Sequence, residues 1–220
     1  MILAAGRGQR MRPLTDVCPK PLLKVAGKPL IEYHIEAIKA ADIHHIVINT
    51  AHLGDMLEDA LGDGRRFGVD IDYSHEGQGK ALETGGGILK ALPLFRSEQF
   101  LVVNGDVWTD ADYNVERLND KDLAHLFLVD NPAHNPEGDF CLRDGRLTEA
   151  CSEALTFSGI GLYHKAFFNV CPTGEAFALA PLIRQAIAAG RVSGQKLSGH
   201  WVDVGTPQRL QQIELWLQQQ

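Results

Sequence analysis

The spacing of apolar residues divides the chain into short strands alternating with amphipathic helices. Residues 1–5 form a continuous apolar run that stops at Gly6, and residues 100–104 form another, of the kind buried on both faces of a sheet. Residues 22–25 lead through the Gly27-Lys28 turn to Pro29, placed for the first turn of a helix over 30–41. In that helix Ile31, His34, Ile35 and Ile38 share one face at the 3.6-residue period. The pattern then predicts a strand over 45–49, a helix over 55–61, a strand over 69–74, and a helical stretch over 88–92 opened by the glycines at 85–87. Strands alternating with helices imply parallel order and right-handed crossovers, hence a layered α/β domain.

After a strand over 124–130 the rhythm changes. Residues 131–155 are loop-rich and contain a hairpin over 140–148 that turns at Asp144-Gly145. A strand over 155–163, a helix over 177–189 ended by Gly190, a short strand over 201–204 and a helix from Pro207 to about Leu217 complete the series. Residues 218–220 are expected to fray. No internal repeat, linker or low-complexity block interrupts the 220 residues. They read as one domain, 1–220, with a small insertion near 131–155.

Composition adds little until charge is located. Apolar content of 45% and charged content of 22% suit a soluble globular protein, and no apolar run approaches the ~20 residues of a membrane helix. Five apolar residues before Arg7 are too few for a signal-peptide core, so the expected location is cytoplasmic. A strand beginning at Met1 is expected to have chain ahead of it. Cys18, Cys141, Cys151 and Cys171 form no C-x-x-C pair and are expected to be reduced thiols. The nine histidines lack zinc spacing and read as structural or surface residues.

The net charge is −7, yet residues 1–28 hold six Lys/Arg against Asp16 alone, which leaves −12 on the rest. Gly6 and Gly8 expose backbone N–H groups beside Arg7, Arg10, Arg12 and Lys20, the setting a polyphosphate requires. One small cationic pole on an acidic chain points to a compact anion, not to a nucleic acid. A Walker loop is excluded because no Gly-Lys-Ser/Thr follows, and a G-x-G-x-x-G fingerprint because Met11 stands at the third glycine. By itself the stretch also suits an ordinary basic strand-to-helix turn.

The segment Leu3-Ala-Ala-Gly-Arg-Gly-Gln-Arg-Met-Arg-Pro-Leu-Thr15 with Pro19-Lys-Pro21 resembles the signature of the sugar-nucleotide pyrophosphorylases, which are nucleotidyltransferases. Arg10 and Lys20 have the family's ten-residue spacing, and Gln9 replaces a small hydroxyl residue. Asn104-Gly-Asp106 and Trp201-Val-Asp203-Val-Gly-Thr206 resemble its two metal-binding segments, although either aspartate alone would pass for a turn former or a helix cap. Leu82-Glu-Thr-Gly-Gly-Gly-Ile88 resembles the segment that lies against base and ribose, with Glu83 where the family has glycine; Thr156-Phe-Ser-Gly-Ile160 resembles part of the sugar pocket.

The resemblance implies a Rossmann-like three-layer α/β/α fold with a mostly parallel, mixed sheet and a small sugar-binding insertion. It implies Arg10 and Lys20 as catalytic residues, and Leu3, Ala4, Ala5, Gly6, Gly8, Gln9, Arg10, Lys20, Glu83, Thr84 and Gly85 around the nucleotide. Asn104, Gly105, Gly138, Asp139 and Gly159 would face the sugar, and Asp106 and Asp203 would hold Mg²⁺. The expected partners are UTP and a sugar 1-phosphate, with no nucleic acid and no membrane, in a monomer or small homo-oligomer. Val103-Asn-Gly-Asp-Val-Trp-Thr-Asp110, Val129-Asp-Asn-Pro132, Gly138-Asp-Phe140 and Gly199-His-Trp-Val-Asp-Val-Gly-Thr206 most resemble one branch, the uridylyltransferases of cell-wall recycling. For the carboxylate that such a sugar carries, Arg143, Arg146 or Lys165 is the expected partner. The alternatives are a guanylyl- or thymidylyltransferase for mannose or glucose 1-phosphate and, outside the enzymes, a nucleotide-binding regulator.

Overall fold

The computed structural model describes residues 1–77, 82–113, 117–149, 151–172 and 174–219. Residue 150 of the expected insertion and Gln220 of the expected frayed end lie outside them. In chain order the elements are β1 Ile2–Leu3, β2 Lys24–Val25, β3 Lys28–Pro29, α1 Leu30–Ala40, β4 His45–Thr50, α2 Gly54–Leu61, β5 Asp70–His75, α3 Glu83–Ala91 and β6 Gln99–Asn104. They continue with β7 Val107–Thr109, β8 Ala124–Val129, β9 Cys141–Arg143, β10 Arg146–Thr148, β11 Thr156–His164, α4 Leu179–Ala188, β12 Val192–Lys196, β13 Trp201–Asp203 and α5 Pro207–Leu217.

Nine strands form one sheet in the order β5-β4-β1-β6-β11-β8-β12-β10-β9. The first four run parallel, as the strand–helix alternation requires. Strand β11 enters antiparallel between β6 and β8, with Tyr163 opposite Phe100, and makes the sheet mixed. Alternation along the strands divides the core between two faces. On β6, Phe100 and Val102 join Ile88, Leu179 and Ile183 of α3 and α4, whereas Leu101 and Val103 join Ile31, Ile35, Ile38 and Leu57 of α1 and α2. The result is the three-layer α/β/α arrangement. No helix among the described residues is long and apolar enough to cross a membrane.

Five expectations change. Strand β1 pairs only at Ile2 and Leu3, because the N–H of Ala4 turns to Asn49 Oδ1 at 2.8 Å and the chain leaves the ladder. The glycines at 85–87 lie inside α3, which begins at Glu83, because residues 175–177 and Glu76 press against that helix; a methyl on Gly85 would overlap the Phe177 ring. The hairpin β9–β10 does turn at Asp144-Gly145, but it continues the main sheet beyond β12. Cys141 and Cys151 are joined by a disulfide with a Cα–Cα distance of 5.9 Å, since the hairpin returns the chain to its own start ten residues later; Cys18 and Cys171 are free. Strand β12, lying in a stretch of Ser, Gly, Gln and Lys with no apolar period, pairs with β8 over five residues and was not foreseen.

Candidate active site

The carboxyl ends of β1 and β6 point the same way and open a cleft of about 430 Å³. Leu3, Ala4, Ala5, Gly6, Gly8, Gln9, Arg10 and Lys20 line one side, Asn104, Gly105, Asp106 and Gly205 another, and Glu83 and Thr84 of α3 a third. Local sequence explains the shape. Gly8 holds φ +59 as the basic loop curls into a short 3₁₀ turn, and Thr15 Oγ1 closes it by donating to the Gly8 carbonyl at 2.8 Å. Pro19 and Pro21 then flank Lys20, which is only 7% exposed and reaches across the cleft to Asp106 Oδ2 at 2.7 Å.

The second aspartate arrives through a separate pair of strands. Strands β7 and β13 run antiparallel with Asp203 opposite Val107, and the N–H of Val204 donates to the Asp106 carbonyl at 2.8 Å. Residues 106 and 203, 97 positions apart in the chain, thus lie on adjoining strands; Asp106 lines the cleft, and Asp203 stands two residues before Gly205, which also lines it. Asp203 Oδ2 accepts from Arg209 Nη1 at 2.7 Å, while its Oδ1 is buried with no hydrogen-bond partner. A buried carboxylate oxygen without a donor is costly, and its chemistry suits a hard divalent cation. Among the described residues no group of three or more His, Cys, Asp or Glu forms a cage. Two carboxylates suit Mg²⁺, which completes its octahedron with phosphate oxygens and water.

Not every expected residue reaches the cleft. Gly85 faces Phe177 instead, and its N–H donates to the Phe177 carbonyl at 3.0 Å. Asp139 is occupied within the loop, accepting from the Phe157 N–H at 2.8 Å and from Asn135 Nδ2 at 3.2 Å. Gly138 abuts Ala154, and Gly159 makes room for Asn104, whose Nδ2 would stand 2.5 Å from a Cβ there. The three cations expected for a sugar carboxylate lie at the wrong end of the sheet. Lys165 follows His164, which pairs with Gln99 at the start of β6, and donates to the Phe95 carbonyl. Arg146 binds Asp122 at 2.6 Å and the Gly190 carbonyl, both ahead of strands that run toward the cleft, and Arg143 is its cross-strand partner. Within the 131–139 loop, His134 lies 3.2 Å from Arg209 Nη1 of α5.

Four lining residues went unforeseen: Pro21, Asn49, Glu76 and Gly205. Asn49 Nδ2 donates to Glu76 Oε1 at 2.6 Å, and Glu76 Oε2 accepts from the Leu82 N–H at 3.0 Å, so a buried carboxylate ties β4, β5 and the start of α3 together. Their only signal was position, at the ends of two predicted parallel strands. Glu83, the first residue of α3, holds φ +56, the left-handed conformation that glycine adopts most readily.

Residues 1–138 match the family model described as nucleotidyl transferase. The chain is 52% identical, over 97% of its length and 96% of the relative's, to an N-acetylmuramate alpha-1-phosphate uridylyltransferase of Neisseria meningitidis. It is 35% identical, over 94% and 92%, to one of the same name from Caulobacter vibrioides. Among solved structures, a Bacillus anthracis protein assigned as a glucose-1-phosphate thymidylyltransferase superposes with a TM-score of 0.82 at 25% identity, covering 98% of this chain and 93% of its own.

Proposed function

This chain belongs to the nucleotidyl transferase family, and we propose that within it the protein transfers a uridylyl group from UTP to N-acetylmuramic acid 1-phosphate. The products are UDP-N-acetylmuramic acid and pyrophosphate. The observation that carries this reading is the near-full-length identity to the Neisseria enzyme, together with a single cleft in which Arg10, Lys20, Asp106 and Gly205 converge. The setting is the cytoplasm, where sugars recovered from the cell wall would be returned to a nucleotide-activated form.

A phosphate oxygen of the sugar 1-phosphate attacks the α-phosphorus of UTP as the bond to pyrophosphate breaks. A −2 nucleophile ~4 Å from a −1 phosphoryl group is repelled by about 8 kcal/mol at an effective dielectric near 20. Arg10 and Lys20, on the cleft wall, offset this and hold the charge that moves to the leaving pyrophosphate. Asp106 and Asp203 would hold Mg²⁺, which when bound neutralises phosphate oxygens and fixes their geometry. No general base is required, because the attacking oxygen is already ionised at neutral pH. Residues 3–6, the first turn of α3, Asn49 and Glu76 share one stretch of cleft wall, against which the base would lie.

The test is pyrophosphate release over a grid of nucleoside triphosphates and sugar 1-phosphates with Mg²⁺. UTP with N-acetylmuramic acid 1-phosphate should give the highest kcat/KM. A higher value with GTP would move the protein to the guanylyl branch. Preference for N-acetylglucosamine or glucose 1-phosphate would remove the cell-wall assignment and leave the uridylyl transfer.

A further inference from the structure

We infer that Arg209 is a positioning residue that presents Asp203 to the divalent cation, and so couples the C-terminal helix to the phosphate site. The inference rests on the metal reading of Asp106 and Asp203. Four observations converge on it. Arg209 Nη1 donates to Asp203 Oδ2 at 2.7 Å, and this pair is largely withdrawn from solvent, at 17% and 21% side-chain exposure. The other oxygen, Oδ1, is buried without a donor, so the guanidinium holds one side of the carboxylate and leaves the other unpaired.

The guanidinium is itself held. Thr206 caps α5, its Oγ1 accepting from the Arg209 N–H at 3.3 Å and lying 3.5 Å from Nε. His134 packs against the pair, with Nε2 at 3.2 Å from Arg209 Nη1 and at 3.2 Å from Asp203 Oδ2. Finally, Arg209 and Arg10 flank Gly205. A Cβ on that glycine would lie 2.9 Å from Arg209 Nη2, 3.1 Å from Arg10 Nη2 and 2.8 Å from Asp203 Oδ1. Both guanidiniums and the unpaired oxygen thus approach one point beside Gly205, which lines the cleft.

A planar guanidinium with two anchored nitrogens fixes a carboxylate's rotation, which a flexible ammonium does less well. Mg²⁺ demands near-ideal geometry, so rotation of Asp203 matters more for it than for a larger ion. Hydrogen-bond partners behind metal ligands are typically worth roughly 10–100-fold in metal affinity.

The experiment is a Mn²⁺ titration of the protein with UTP, followed by water-proton relaxation, for the wild type and for Arg209→Met, Arg209→Lys and Asp203→Asn, with melting temperatures measured in parallel. Arg209→Met should raise the Mn²⁺ midpoint by roughly 10–100-fold in a protein whose melting curve shows it folded at the assay temperature, and Arg209→Lys should recover part of it. The Mg²⁺ concentration for half-maximal turnover should move with it, whereas KM for UTP at saturating metal should not. A wild-type midpoint in Arg209→Met, while Asp203→Asn shifts it, would overturn the role of Arg209 alone. A wild-type midpoint in Asp203→Asn would overturn the metal reading and this inference together. Should Arg209→Met fail to fold, Arg209→Lys decides: a wild-type midpoint and wild-type Mg²⁺ requirement there overturn the inference.

Discussion

At the scale of single residues, Lys20 carries the clearest expectation. Its Nζ sits 2.7 Å from Asp106 in a cleft wall, 7% exposed, with nothing apolar about its task. A cation buried on a phosphate path acts on charge as it develops, so its loss should fall on kcat more than on binding. Lys20→Ala and Arg10→Ala are each expected to lower kcat by roughly 10²–10³-fold with little change in the affinity for UTP. Steady-state kinetics beside a direct UTP-binding measurement separates the two, and an effect confined to KM would reduce either residue to ground-state binding. Both positions were legible from a two-part spacing. Asn49 and Glu76 were not, since each gains meaning only when β4 and β5 lie beside β1.

At the scale of elements, α3 shows how packing overrides local preference. Three successive glycines argue against a helix, each costing roughly 0.5–1 kcal/mol relative to alanine. They are helical because residues 175–177 and Glu76 approach too closely for any side chain. The balance gives a prediction with a definite sign. In a free helix Gly85→Ala would stabilise by up to about 1 kcal/mol, but here the methyl would overlap Phe177, and overpacking costs about 1–3 kcal/mol. The melting temperature should therefore fall by several degrees; a rise would show that the 175–177 segment does not lie on α3.

For the whole molecule, burial of His34 links stability to pH. The ring lies 1% exposed beneath the β7 segment, with Nδ1 2.8 Å from the Tyr113 hydroxyl, and desolvation lowers its pKa to about 4. Unfolded, the same ring titrates near 6.5, so between those values the unfolded chain binds the extra proton. Stability is then present above pH 6.5 and is lost as pH falls toward 4. The loss amounts to about 2 kcal/mol between pH 7 and 5, and the wild type should show that much more acid sensitivity than His34→Gln. Urea unfolding at the two pH values checks it, and equal losses in the two proteins would dismiss the buried-imidazole account.

The sequence alone determined the α/β class, the parallel order of the first half, and the basic loop with its lysine, because these depend on local period and fixed spacing. It also proposed Asp106 and Asp203 as a pair of metal ligands, through a resemblance at two distant segments. Tertiary structure decided what depends on which strands become neighbours. It put β11 antiparallel between β6 and β8, sent the hairpin of the expected insertion to the sheet edge, and joined Cys141 to Cys151. It also moved Arg143, Arg146 and Lys165 away from the cleft and brought Arg209 to Asp203, since a cation's partner is set by strand direction and not by its distance along the chain.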